Sequence, residues 1–352
     1  MPYDRTAMPN RLSTHADQGT PGWGSIAMLA AAAGLAASMV YVHAKKREAE
    51  QANPAQGKVI EIDGVRLHYL ERGEGAPLVL LHGNGLYSDD FALSGLLDAA
   101  AESHRVIAFD RPGFGHSDRP GETSWTPEAQ ARLIYKALRA LGVERPVIAG
   151  HSWGTLVTLA LALDYPRYVR AIALVSGYYY PSVRLDAPLA SAPALPLIGR
   201  VLRNTVSPLL GRLLWPVLTR RMFGPAPVPE SFRQFPKWMS LRPAQLGASA
   251  AESGMMISAA ARLSQRYGEL RLPIAVLAGC GDRVASAEAN AVRFHNEVPH
   301  SDLQLESDCG HMLHYAHPDL IMAAVAKLEV GTRAGYARVT AWAQQDTGAT
   351  LH

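Results

Sequence analysis

Between residues 58 and 330, short stretches that are apolar along their whole length alternate with stretches that have the spacing of amphipathic helices. The apolar stretches are APLVLLHG, HRVIAFDRPG, RPVIAG, VRAIALVSG and LPIAVLAG. Strands of this kind are buried on both faces, which is typical of a parallel sheet covered by helices on each side. The alternation therefore predicts an α/β fold, with the reactive side chains after the carboxyl ends of the strands.

Local patterns predict individual elements within this region. KVIEIDGVRLHYLERG has two alternating runs around Asp63 and Gly64, which predicts an antiparallel hairpin at the start of the sheet. SDDFALSGLLDAAAE predicts a helix capped by Ser88 or Asp89. TPEAQARLIYKALRALG predicts another helix, with Thr126 as its cap and a proline in its first turn.

The segment PVIAGHSWGTLVTLAL, residues 146–161, places Ser152 between Gly150 and Gly154 where a predicted strand turns into a helix. A serine at the start of a helix can simply cap it. In a sharp strand–turn–helix element, however, glycines two positions before and after the serine relieve steric crowding. The turn then presents the hydroxyl at the helix N-terminus, so the context favours Ser152 as a nucleophile.

A serine nucleophile needs a base within hydrogen-bond reach and an acid that orients the base. Asp282, in VLAGCGDRV, lies just beyond a predicted strand, and His311, in SDCGHMLHYAHP, lies in the loop after the last strand. The chain order serine, aspartate, histidine favours these two residues. The competing aspartates are Asp302 and Asp308, and the competing histidines are His314 and His317.

The intermediate of acyl transfer also needs two N–H donors that form an oxyanion hole. Trp153 directly follows the serine and is predicted to supply one donor. The glycine-rich turn LHGNGL is predicted to supply the other from Asn84, with Gly83 allowing the backbone to approach closely. The side chain of His82 is expected to support this loop by hydrogen bonds and not to react.

The motifs LHGNG, DRPGFGHSDRP, GHSWG, GCGD and CGHMLHYAHPD, in this order and spacing, resemble those of the α/β-hydrolase fold superfamily. The chain resembles the branch of epoxide hydrolases, haloalkane dehalogenases, haloperoxidase-like esterases and proline iminopeptidases, over about residues 58–330. The resemblance implies a mostly parallel sheet. It also implies a nucleophile, an acid, a base and two oxyanion donors, in this order Ser152, Asp282, His311, Asn84 and Trp153.

Departures from that branch narrow the expected chemistry. Epoxide hydrolases and dehalogenases carry an aspartate nucleophile where this chain has serine, and Gly85 replaces the proline that is usual in epoxide hydrolases. The resemblance therefore implies hydrolysis of an apolar ester-like substrate through an acyl-enzyme, without a metal or an organic cofactor. The alternatives are a C–C bond hydrolase or an iminopeptidase-like hydrolase with the same triad, and a non-catalytic binding module tethered to a membrane.

Residues 182–268 interrupt the predicted sheet where this superfamily carries a cap over the active site. They contain 11 basic and 3 acidic residues, a net charge of +8, whereas the whole chain has +3. A helical cap with solvated arginines is the simpler expectation. The other is a lid that lies on anionic lipid, since basic amphipathic segments bind such surfaces. The overall charge balance does not indicate a nucleic-acid partner.

An uncharged apolar segment, IAMLAAAAGLAASMVYV, precedes this region and is followed at once by HAKKRE. Its length is close to the minimum that crosses a bilayer. We expect a membrane anchor over residues 25–44, after a tail over 1–24 and before a linker over 45–57. A signal peptide and an apolar tail that does not enter a membrane are the alternatives. Three basic residues after the segment against two before it favour a cytoplasmic catalytic domain.

The remaining features indicate little about function. Cys280 and Cys309 each stand two residues before a candidate catalytic residue, at the ends of strands predicted to be neighbours. A disulfide is conceivable there, but two buried thiols are the simpler expectation. The tail over residues 331–352 carries no recognisable motif, and nothing in the sequence indicates an oligomeric state.

Overall fold

The computed structural model describes residues 23–182 and 190–330, and its centre is one eight-stranded sheet. The strands are, in chain order, β1 Lys58–Ile62, β2 Val65–Arg72, β3 Ala76–Leu81, β4 His104–Phe109, β5 Val147–His151, β6 Ala171–Val175, β7 Ile274–Gly279 and β8 Asp302–Glu306. Their spatial order is β1-β2-β4-β3-β5-β6-β7-β8. The two pairs that β2 makes are antiparallel, and the other neighbouring pairs are parallel. The predicted α/β fold with a mostly parallel sheet is confirmed.

Helices connect the strands and cover both faces of the sheet. They are α1 Trp23–Ala52, α2 Asp89–Leu93, α3 Leu96–Ala101, α4 Pro127–Ala140, α5 Trp153–Asp164, α6 Ile198–Asn204, α7 Val206–Phe223, α8 Glu230–Arg233, α9 Lys237–Ser240, α10 Pro243–Ser264, α11 Arg293–Glu297, α12 Leu313–Ala316 and α13 over residues 318–330. On one face α4 and α5 bury residues such as Ile134 and Leu159. On the other face α3 and α13 bury Leu97 and Val325.

Two of the local predictions are confirmed and a third is corrected. The hairpin at Asp63 and Gly64 is formed, with β1 and β2 in antiparallel register. The hydroxyl of Thr126 accepts a hydrogen bond from the backbone N–H of Ala129 and caps α4 as predicted. The helix predicted from Ser88 onward is instead divided into α2 and α3, because Gly95 between them takes a left-handed conformation with φ 80°.

The predicted insertion lies between β6 and β7, and its described part consists mainly of the helices α6 to α10. We call these helices the cap. Its longest helix, α10, packs against α5 of the core, and α6, α7 and α9 pack against α1.

Helix α1 combines the predicted anchor and most of the predicted linker, since it continues without a break to Ala52. Its apolar part has a mean hydropathy of 1.9, a composition shared by membrane spans and by signal sequences. Its second half is docked on the cap. The Ser38 hydroxyl donates to the carbonyl of Thr205 at 2.8 Å, and the ring of Tyr41 meets that of Trp238 edge-on. These contacts hold the second half of α1 against the cap.

We expect Leu159→Ala to lower the free energy of unfolding by about 2–5 kcal/mol, because Leu159 is fully buried between α5 and the sheet and its loss leaves a cavity. Leu305→Ala makes the same change on β8, where the side chain is 41% exposed, and should stay within about 0.5 kcal/mol of the wild type. Urea unfolding in detergent measures both, and equal losses would contradict this assignment of the core.

Candidate active site

Ser152 occupies a strained turn between β5 and α5. Its backbone has φ 52° and ψ −120°, a conformation that residues with a side chain rarely adopt. The turn is possible because its two flanking glycines lack side chains. A Cβ on Gly154 would lie 2.2 Å from the carbonyl oxygen of Leu81, and one on Gly150 would lie 2.4 Å from Oγ1 of Thr158. Side chains at either position would displace β3 or α5.

The three residues favoured from the sequence come together at this turn. Nε2 of His311 lies 2.9 Å from Oγ of Ser152, and Nδ1 lies 2.7 Å from Oδ2 of Asp282. The other carboxylate oxygen accepts from the backbone N–H groups of Val284 and Ala285, at 2.7 and 2.9 Å. These two bonds fix the carboxylate. The carboxylate of Asp282 accepts a hydrogen bond from Nδ1–H of His311, which leaves Nε2 free to act as a base toward the serine.

The competing aspartates lie elsewhere. Asp302 begins β8, at the opposite end of the strand from the serine, and accepts a hydrogen bond from Lys327 at 2.8 Å. Asp308 is exposed to solvent.

The competing histidines are engaged differently as well. Nε2 of His314 lies 2.8 Å from the carboxylate of Asp90, and His317 ends the short helix α12. Of the candidates considered from the sequence, the structure joins only Asp282 and His311 to Ser152.

The main chain of His311 is held from two directions. Its backbone N–H donates to the carbonyl of Met222, near the end of cap helix α7, at 2.8 Å. Its own carbonyl accepts from Nε2 of His151, the residue before the serine, at 3.0 Å. The position of the candidate base therefore depends on both the cap and the turn.

The loop of residues 82–86, which we call the oxyanion loop, passes close to the serine. A Cβ on Gly83 would lie 3.1 Å from Cβ of Ser152. The side-chain amide of Asn84 donates to the Ser249 carbonyl at 3.1 Å and to the Ser253 hydroxyl at 3.2 Å, both on α10. These bonds hold the Asn84 side chain, so that the group it can offer to an oxyanion is its backbone N–H. The backbone N–H of Trp153, at the start of α5, is the second candidate donor.

His82 lies beneath this loop, and burial lowers its pKa to about 3, so that the ring is neutral. Its Nδ1 donates to the carbonyl of Gly83 at 2.7 Å, and its Nε2 accepts from the backbone N–H of Arg111 at 2.9 Å. Both ring nitrogens are therefore used, as expected for a supporting residue.

Two candidate functional residues, Arg111 and Glu252, were not predicted from the sequence. Arg111, in the DRPGFG turn, and Glu252, in α10, form a fully buried ion pair next to the oxyanion loop. A signal was present, since Glu252 is one of three acidic residues in the segment 182–268 and interrupts a long run without charge. Its partner could not be identified, because the two residues are 141 positions apart in the chain.

Of the described residues, Asp90, His151 and His314 form the group with ligand-type atoms close enough to hold a metal ion, within 4.8 Å of one another. All three are buried. Hydrogen bonds already engage Nε2 of both histidines, whereas their Nδ1 atoms have no hydrogen-bond partner among the described residues. We assign this group a supporting position beneath the turn.

The two cysteines do not form a disulfide. Cys309 is buried, and burial raises the pKa of its thiol to about 11. Cys280 is exposed. The expectation of free thiols is met, but that of two buried thiols is wrong for Cys280, because it sits in the turn after β7 at the surface.

An apolar cavity of about 280 Å³ adjoins the oxyanion loop. Its lining comes from that loop, from α7, from α8 and from the turn after Asp282: Asn84, Gly85, Leu86, Trp215, Leu218, Thr219, Arg221, Met222, Phe232 and Val284. A cavity with these walls can accommodate a hydrocarbon chain.

Comparison with known proteins agrees with this architecture. The family model of the alpha/beta hydrolase fold matches residues 76–318. The 2-hydroxymuconate semialdehyde hydrolase of Pseudomonas putida is 29% identical over 287 residues, which cover 77% of this chain and 93% of that protein.

Solved structures share the fold at lower identity. An esterase from Exiguobacterium antarcticum superposes with a TM-score of 0.63 and 19% identity, covering 78% of this chain and all of that one. A membrane phospholipase A superposes with a TM-score of 0.61 and 22% identity, covering 88% of this chain and 97% of that one.

We expect Asp282→Asn to lower kcat for any substrate of this site by about three to four orders of magnitude. The amide Oδ1 can still accept from Val284 and Ala285, but its NH₂ group would face Nδ1–H of His311 and favour the wrong tautomer. Asp308→Asn makes the same change at an exposed competitor and should leave kcat within about twofold. Steady-state kinetics of both variants test this prediction, and equal effects on kcat would show that Asp282 does not belong to the site.

Proposed function

Since the chain belongs to the alpha/beta hydrolase fold family, we propose that it is a serine hydrolase that cleaves apolar, ester-like lipid substrates at a membrane surface. The observation that carries the proposal is the hydrogen-bonded series Ser152–His311–Asp282 at a strained, glycine-flanked turn. A serine with these partners is suited to acyl transfer.

The first half of the reaction forms an acyl-enzyme. His311 takes the proton of Ser152 through Nε2 while Oγ attacks the acyl carbon of the ester. The oxygen that becomes negative is stabilised by the backbone N–H groups of Asn84 and Trp153. The tetrahedral intermediate collapses when His311 returns the proton to the leaving alcohol.

The second half releases the acid. His311 removes a proton from water, and the hydroxide attacks the acyl carbon bound to Ser152. The proton then passes from His311 to the serine oxygen as the carboxylic acid leaves. Asp282 stays ionised and stabilises the imidazolium that forms in both halves.

The surface of α7 supports a lipid substrate. Seven aliphatic residues recur every three or four positions and face away from the protein: Val206, Leu209, Leu210, Leu213, Leu214, Val217 and Leu218. We call them the apolar stripe. The most exposed, Leu213 and Val217, have exposed fractions of 74% and 62%. A stripe of this size on a helix surface is typical of membrane or partner contact.

The apolar stripe connects the cavity to α1. Leu218 belongs both to the stripe and to the cavity lining. In the middle of the stripe, Arg212 donates to the hydroxyl of Tyr41, on the part of α1 where the docked half meets the exposed apolar half. We infer that α1 anchors the chain, that the stripe enters the same lipid surface, and that an acyl chain passes along α7 into the cavity.

The similarity to the membrane phospholipase A favours this proposal, because its fold is shared over 88% of this chain. The basic residues of the cap fit an anionic lipid surface. The predicted cytoplasmic position of the catalytic domain remains a prediction from the charges that flank α1.

Hydrolysis of a carbon–carbon bond is the second candidate. It is favoured by the relative named 2-hydroxymuconate semialdehyde hydrolase, which is similar over most of both chains. It would use the same three residues, so only the substrate distinguishes the two candidates.

A chain-length series of chromogenic esters tests the reaction class. We expect activity to rise with acyl length, because each added methylene buried in the cavity contributes about 0.8 kcal/mol, and to disappear in Ser152→Ala. Turnover of a ring-cleavage semialdehyde with no ester turnover would favour the second candidate. Equal ester activity in Ser152→Ala would show that the nucleophile is wrong.

The double variant Leu213→Glu/Val217→Glu tests the apolar stripe. Loss of two aliphatic contacts of about 1.5 kcal/mol each should lower activity on phospholipid in anionic vesicles by about 100-fold. Turnover of a short, soluble ester should stay within about twofold. Val59→Glu adds charge at an exposed position of β1 and should change neither activity. Full vesicle activity in the double variant would contradict membrane contact by the stripe.

A further inference from the structure

We propose that Glu252 of the cap is a positioning residue for the oxyanion hole, acting through Arg111, so that the hole is complete only when α10 is in place. The inference rests on the proposed function, and it concerns the residues that set the geometry of the N–H donors in the oxyanion hole. Neither residue touches the serine or its partners. Their influence passes through the main chain of the oxyanion loop.

Arg111 binds the loop at consecutive residues. Its Nε donates to the carbonyl of His82 at 2.8 Å, and its Nη2 donates to the carbonyl of Gly83 at 3.0 Å. The peptide group that contains the Gly83 carbonyl also contains the N–H of Asn84. Because a peptide group is planar, the direction of that carbonyl sets the direction of the N–H. The guanidinium therefore orients the candidate oxyanion donor.

Glu252 holds the guanidinium from the opposite side. Both of its carboxylate oxygens accept from Arg111, with Oε2 at 3.1 Å from Nη2, and Oε1 also accepts from Nε2 of Gln130 at 3.0 Å. All three side chains have no exposed surface. In a dry interior an unpaired guanidinium is strongly unfavourable, so loss of the carboxylate charge displaces Arg111 from the loop or draws water to it.

The face of α10 that carries Glu252 also binds the rest of the oxyanion loop. Nε2 of Gln245 donates to the carbonyl of Gly85 at 3.1 Å, and Asn84 donates to Ser249 and Ser253. Together with Glu252 these helix residues follow a spacing of four, three and one, which places them on one side of α10. His82 and Gly83 are thus bonded to Arg111, and Asn84 and Gly85 are bonded to this face of α10. We call Arg111 and this face of α10 together the clamp.

The clamp gives the cap a second task besides covering the site. A displacement of α10 breaks its bonds to Asn84 and Gly85 and separates Glu252 from Arg111, which holds His82 and Gly83. It leaves Ser152, His311 and Asp282 in contact. Such a displacement removes stabilisation of the transition state without removing the nucleophile. The expected signature of a weakened clamp is a fall in kcat with little change in KM.

Glu252→Gln in the full chain tests the clamp, because it keeps the shape of the side chain and removes its charge. With a short soluble ester we expect kcat to fall by about 10- to 100-fold, with KM within about twofold. Affinity for a trifluoromethyl ketone, whose adduct places an oxyanion in the hole, should fall in proportion. Hydrogen exchange of the backbone amides of residues 82–86 should become faster.

A second pair of variants with smaller changes tests the clamp if Glu252→Gln does not fold. Ser253→Ala removes one bond to Asn84 and should lower kcat about two- to tenfold. Ser258→Ala makes the same change five positions along α10, at an exposed residue without contact to the loop, and should leave kcat unchanged.

The outcomes separate the clamp from the proposed function. A folded Glu252→Gln with wild-type kcat and wild-type exchange at residues 82–86 overturns the inference, as do equal effects of Ser253→Ala and Ser258→Ala. If the wild type hydrolyses no ester and Ser152 does not react with a fluorophosphonate, the proposed function fails. The exchange measurement then still decides whether Glu252 orders the loop.

Discussion

The architecture of the site depends on one steric constraint, the close approach of the turn at Ser152 to the end of β3. Gly154 lies against the carbonyl of Leu81 with no space for a Cβ, and this contact brings the helix N-terminus beside the oxyanion loop. Since β3 and β5 are adjacent parallel strands, the loop after one and the turn after the other meet at the same sheet edge. The strain at Ser152 is sustained because buried strands on both sides leave the backbone no alternative path.

Around this turn the candidate base, His311, is held by parts of the chain that are remote in sequence. The His311 main chain is bonded to Met222 in the cap and to His151 beneath the serine, while its ring lies between Ser152 and Asp282. The cap therefore contributes to both halves of the site, through α7 to His311 and through α10 to the oxyanion loop. A cap that only covered the substrate would not need a buried ion pair and main-chain bonds to the loops of the candidate site.

The fold and the meeting of Ser152, His311 and Asp282 at one turn could be predicted because their signals are local. Continuous apolar strands identify the sheet, and residues that follow the carboxyl ends of strands are brought to one edge whatever the loops between them do. The Arg111–Glu252 pair could not be predicted, since it depends on how α10 lies across the core. The continuation of α1 to Ala52 could not be predicted for the same reason. In the sequence Lys45 and Lys46 indicate the start of a linker, but ion pairs to Glu48 and Glu50 and the docking of Ala49 on the cap keep the helix intact.

The continuity of α1 has a mechanical consequence. Thirty residues at a rise of 1.5 Å form a rod about 45 Å long, in which no flexible joint separates the apolar half from the half docked on the cap. A membrane that holds the outer half therefore also sets the tilt and the height of the folded domain. Bilayer thickness, which changes the angle at which such a rod lies, then alters how deeply the proposed entrance along α7 sits in the lipid.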